Sequence, residues 1–136
     1  MREAVALALQ RWGAEDIHLM VDAMAGWVRD APSRLVQRAA VAAVCEPPLL
    51  DESPIVQRVL AILDAITGTI VAAPDRRTDT FRVLRQALGY GWSVAVAADP
   101  APGWARFGRW ADSTDPDVAW LVRENLRKRR MPPRPS

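Results

Sequence analysis

Asp115-Pro-Asp-Val-Ala-Trp-Leu-Val-Arg-Glu-Asn-Leu-Arg-Lys-Arg-Arg130 carries the signals of one amphipathic helix. Asp115 is placed to cap the free N–H groups of the first turn. Pro116 fits the first helical position, where its missing N–H costs nothing. Val118, Leu121, Val122 and Leu126 recur at helical spacing and are expected to face a core. Glu124 and Lys128 stand in the favourable i,i+4 order, extending the expected helix towards Arg130.

The same pattern recurs upstream. Met1–Leu9, Val36–Val44, Thr80–Leu88 and Val118–Leu126 align in one register, with the fourth, fifth and ninth residues apolar in each. The eighth is Ala in three copies and Asn125 in the last. The starts lie 35, 44 and 38 residues apart, and each of the last three copies follows another helical segment. A helix pair repeating at roughly 35–45 residues is the signature of an α-solenoid, in which each unit buries its apolar face only against its neighbours.

These residues resemble the HEAT repeat, whose second helix reads Asp-x-x-Val-Arg-x-x-Ala-x-x-Ala-Leu. Asp115, Val118 and Leu126 match it in the last copy, and Val36, Ala39, Ala40 and Val44 in the second. The resemblance implies an all-α fold, a right-handed α-solenoid of about three and a half HEAT-like helix pairs over residues 1–130. The family's Arg after the Val is Ala119 in one copy and Gln37 in the other, which argues against an inter-repeat Asp–Arg ladder. The architecture is also similar to that of bacterial alkylpurine DNA glycosylases, but the sequence places no Asp beside Trp92 or Trp120, and fold likeness does not confer activity.

Composition agrees with helices. Ala is the commonest residue, Phe and Tyr are scarce, and alternating β-branched runs are missing. Helices are expected over Arg2–Trp12, Glu15–Val28, Arg34–Cys45, Ile55–Ala72, Thr78 or Asp79 to Leu88, and Trp104–Trp110. In the second of these, Ile17, Met20, Val21, Met24 and Trp27–Val28 form the apolar stripe. Ser33 and Ser53 read as caps, Gly89-Tyr-Gly91 as a kink or interruption, and Asp99-Pro-Ala-Pro102 as a breaker. Residues 131–136 read as a disordered Pro-rich tail. The first helix has no preceding partner, so its apolar end is expected to self-associate or to be covered by further repeats.

Charge is uneven along the chain. Residues 1–68 carry six basic and nine acidic side chains, whereas residues 69–136 carry twelve and seven. Lys128 is the only Lys. Cys45 is the single cysteine, which leaves no intrachain disulfide or thiolate cluster. With no signal peptide and no apolar run near 18 residues recognised, the expectation is a cytoplasmic protein without a membrane segment.

No catalytic constellation is legible, and neither a cofactor nor a metal is expected. His18 is alone, so a triad or histidine metal site lacks parts. The acidic residues at Asp51–Glu52, Asp79, Asp99, Asp112, Asp115 and Asp117 read as helix-start residues. What remains is a stripe at the third, sixth and tenth positions of each second helix. It comprises Trp120, Arg123 and Arg127, continued by Arg130; Arg82 and Arg85, with Trp92 beyond; and Arg38 in the second copy. Second helices generally line the concave face of HEAT solenoids. The expected function is therefore a non-enzymatic interaction module or scaffold that binds a protein partner there. The alternative is nucleic acid, with phosphates on Arg and bases stacked on Trp, and a glycosylase ranks last.

Overall fold

The computed structural model describes residues 17–30, 33–45, 50 and 52–135. Six helices lie among them: α1 (Ile17–Asp30), α2 (Arg34–Val44), α3 (Ser53–Val71), α4 (Asp79–Ala98), α5 (Pro100–Ala111) and α6 (Pro116–Leu126), and no strand. The expected first helix, Arg2–Trp12, and its self-association lie outside the described residues. The all-α expectation holds.

The helix ends follow from their residues. Thr78 accepts the Phe81 N–H through its hydroxyl, and Asp115 accepts the N–H groups of Asp117 and Val118. Ser33 sits at its N-cap position without making the side-chain bond. Ser53 lies inside α3, whose N-cap is Glu52, and its hydroxyl donates to Asp99 at 2.7 Å instead. The Asp99-Pro-Ala-Pro102 stretch ends α4 at Ala98, as expected, and its prolines also open α5, whose first turn has no use for their missing N–H groups.

α3 is the centre of the core. Ile55, Val56, Val59, Leu60, Ile62, Leu63, Ile66 and Ile70 are all buried and make up one broad apolar face, while Gln57, Arg58, Ala61 and Ala65 on the opposite side are exposed. It is long and apolar enough to cross a membrane, which corrects the expectation that no such run exists; half of that stretch is buried inside the fold. Its charged residues pair sideways, Arg58 with Asp22 of α1 at 2.8 Å and Asp64 with Arg106 of α5 at 2.8 Å.

Helices pack both on their chain neighbours, most closely α3 on α4 and α4 on α5, and on the next helix but one. α1 packs on α3 and α3 on α5, while α2 packs on α4 and α4 on α6. Where the two sets meet, Trp92 of α4 lies 5.5 Å from the Phe107 ring of α5, which also takes the edge of Trp104 at 5.4 Å. Trp92 donates its indole N–H to the Thr67 hydroxyl at 3.0 Å, and that hydroxyl donates to the Leu63 carbonyl. The largest buried side chain therefore has its one polar atom satisfied.

The Gly89-Tyr-Gly91 stretch does not interrupt α4, which runs unbroken through it. Its glycines serve close approach. A Cβ on Gly91 would stand 2.8 Å from Cγ1 of Val41, and one on Gly89 would stand 3.2 Å from the Trp120 ring. One glycine thus seats α2 against α4, and the other seats α6.

α6 departs from its expected face. Val118, Leu121 and Val122 are buried, but Leu126 is 50% exposed and Asn125 takes the inward place. The helix stops at Leu126, with the Arg127 N–H bonded to the carbonyls of Arg123 and Asn125. Arg127 to Arg130 form turns, and Glu124 pairs with Arg127 at 3.0 Å instead of with Lys128. Residues 131–135 are irregular, as their prolines require, yet they lie against α5 rather than hanging free. The Pro132 carbonyl accepts the Trp104 indole N–H at 3.1 Å, and Arg134 sits over the Trp104 ring.

Candidate docking face on the second helices

The sequence stripe divides in two when placed on the helices. Positions meant to face outward on α2 and α4 are partly consumed by lateral packing. Val41, Cys45, Gly89 and Trp92 are all buried. Trp92, expected as an exposed stacking platform, is fully enclosed and offers no face to a partner.

The two arginines of α4 differ, Arg82 being exposed and Arg85 half-buried. Arg82 pairs with Asp79 one turn earlier. Arg85 reaches across to α6, where it bonds Asp117 at 3.1 Å and lies 4.2 Å over the Trp120 ring. This cation–π stack covers one face of the indole. Asp117 is bound through its other carboxylate oxygen by Arg76 at 2.9 Å.

Sequence reasoning missed Arg76. It lies in the loop between α3 and α4 and spans to the start of α6, holding Asp115 through both carboxylate oxygens at 2.9 and 2.7 Å. It also donates to the Val71 carbonyl. Those hydrogen bonds hold the Asp115 carboxyl below the ordinary carboxylate range, and the two carboxylates push the Arg76 guanidinium further up. Arg76 thus ties the α3–α4 loop to the start of α6. Burial, then the charge of Arg76, lowers the Arg34 guanidinium, which lies 5.2 Å over the Phe81 ring.

Two adjoining shallow hollows cross α2, α4 and α6. The first is lined by Arg38, Val83, Gln86, Ala87 and Tyr90. The second shares Gln86 and Tyr90 and continues over Gly89 and Trp120 to Glu124 and Lys128. Their volumes, about 180 and 220 Å³, fall below the roughly 300 Å³ at which small-molecule pockets begin. They suit inserted side chains. Of the predicted residues, Arg38 lines the first hollow and Trp120 the second, while Arg85 lines neither and stacks on the Trp120 ring.

Arg123, Arg127 and Arg130 lie at and beyond the end of α6 and are exposed. With Lys128 and Arg129 they make five cations in eight residues, against Glu124 alone. Arg123, Lys128, Arg129 and Arg130 form no ion pair among the described residues. The described residues likewise contain no grouping of His, Cys, Asp and Glu that could hold a metal.

Compared with protein-family models, with curated proteins and with solved structures, the chain finds no match in any of the three.

Proposed function

We propose that the chain is a HEAT-like helical-repeat array that works as a non-enzymatic interaction module, docking a protein partner across α2, α4 and α6. The observation that carries this reading is the side-by-side order of those three helices, with two side-chain-sized hollows running over them. The alternation α1–α3–α5 and α2–α4–α6 is the pattern expected of stacked helix pairs. Cross-links between successive pairs support it on both sides: Asp22–Arg58 and Asp64–Arg106 on one, Arg85–Asp117 on the other.

The test is site-specific photo-cross-linking inside cells. A cross-linking residue at Gln86, exposed on α4, is expected to yield adducts with discrete proteins, whereas one at Ala105, exposed on α5, is not. The same adducts from both positions, or none from Gln86, would contradict the proposal.

A second reading, nucleic-acid binding, is favoured by Arg123, Lys128, Arg129 and Arg130, which form no ion pair among the described residues. Backbone neutralisation makes such binding fall steeply with salt. Retention on DNA or RNA that is lost in raised salt, and lost when Arg123, Lys128, Arg129 and Arg130 are all changed to Ala, would support it. Retention independent of those residues would dismiss it.

A further inference from the structure

We infer that the occupant of the α2/α4/α6 face is an amphipathic protein segment whose apolar side is flanked by acidic residues; this rests on the protein-docking reading above. The track has an apolar middle and cationic ends. Val83, Ala87, Gly89, Tyr90 and Trp120 supply the middle. Arg38, half-buried, stands at the α2 end with no ion pair among the described residues; its Nη1 is buried without a hydrogen-bond partner. Lys128 stands at the α6 end, next to Arg123, Arg129 and Arg130. Glu124 is the acidic residue of the lining, and Arg127 engages it.

This distribution separates an acidic peptide from a phosphate backbone. A nucleic-acid strand needs cations along its path. Between Arg38 and Lys128 the path offers Gln86 and Tyr90, while Arg82 and Arg85 are held by Asp79 and Asp117. A polyanion is therefore matched at the ends alone. A helix laid into a groove, apolar residues down and carboxylates at the rim, is matched along its length. Charge at the rim sets orientation and the salt dependence of association.

The experiment is selection of a random linear peptide library on the full chain, followed by affinity measurement on the selected peptides. Enriched peptides are expected to carry net negative charge and apolar residues at helical spacing. Their affinity is expected to fall about tenfold or more in Lys128→Glu, a rim change that reverses charge. Lys128 lies outside every helix, so the fold is expected to survive, and an unchanged circular-dichroism melt checks this; Arg38→Glu gives the same reading from the other end. Neutral or basic winners, or acidic winners that bind both variants unchanged, overturn the inference. If such winners still cross-link from Gln86, the docking reading stands without its acidic partner. No enrichment overturns the inference as well. A single-stranded oligonucleotide that displaces the acidic peptides more effectively than they compete with one another would assign the face to nucleic acid.

Discussion

The side-chain oxygen of Asn125 accepts the backbone N–H of Ser93 at 2.8 Å, and its amide nitrogen donates to the Leu88 carbonyl at 2.8 Å. One α6 side chain thus grips the α4 backbone on both sides of Gly89-Tyr-Gly91. A third bond, to the Leu121 carbonyl at 2.7 Å, fixes the amide on its own helix. The segments aligned with it by sequence carry Ala8, Ala43 and Ala87 at this position, so the departure has a structural reason. Asn125 is fully buried and well satisfied, and Asn125→Ala leaves the Ser93 N–H without this acceptor. The expected loss is about 1–3 kcal/mol, read from the urea midpoint.

Two glycine substitutions should move stability in opposite directions. In Gly68→Ala nothing lies within 4 Å of the new methyl, so the helix gains up to about 1 kcal/mol of propensity. In Gly91→Ala the methyl meets Val41 at 2.8 Å and the Cys45 sulfur at 3.2 Å. Overpacking of that kind costs about 1–3 kcal/mol. Adding Val41→Ala should return part of the loss, and thermal melts of the four proteins measure the coupling.

Trp92 and Trp120 should behave as different kinds of residue. Trp92 is enclosed and hydrogen-bonded, so Trp92→Ala is expected to cost about 3–5 kcal/mol. Thr67→Val, which removes its acceptor, is expected to cost about 1–3 kcal/mol. Trp120 is half-buried on the candidate face. Trp120→Ala should cost less stability and weaken a docked peptide, which equilibrium unfolding and peptide titration read separately.

Acid should loosen the link between α6 and the α3–α4 loop. Arg76 holds the folded Asp115 carboxyl below its unfolded value of about 3.9. A depressed carboxylate contributes its stability above the unfolded pKa and loses it as pH falls through the folded one. Wild type should therefore exceed Arg76→Met in stability at neutral pH, and the difference should shrink below about pH 4. A difference that is constant from neutral pH to acid would contradict the assignment.

Much of this was legible because local chemistry set it. The caps at Thr78 and Asp115 and the all-helical character follow from residues near in sequence. The outer stripe was misread because helix periodicity does not say which lateral neighbour will cover a position. Val41 and Gly91 read as unrelated until α2 and α4 meet. Leu126 and Asn125 exchanged roles because the amide bonds that reward burying Asn125 come from another helix. Arg76 escaped notice because its partners lie 39 and 41 residues away and it belongs to no helix face. The end of α6 went unseen because nothing helix-breaking occurs before Pro132; the turns that follow carry the chain back to Trp104.

The side-by-side order of α2, α4 and α6 is tested most directly by isotope-edited nuclear Overhauser spectra of the folded chain. The Gly91 α-protons should show cross-peaks to a Val41 methyl, and the Gly89 α-protons should show them to the Trp120 ring. Both sets in one sample would establish the face on which docking depends. Assigned Gly89 and Gly91 protons that lack these cross-peaks, or that contact α1 instead, would contradict it.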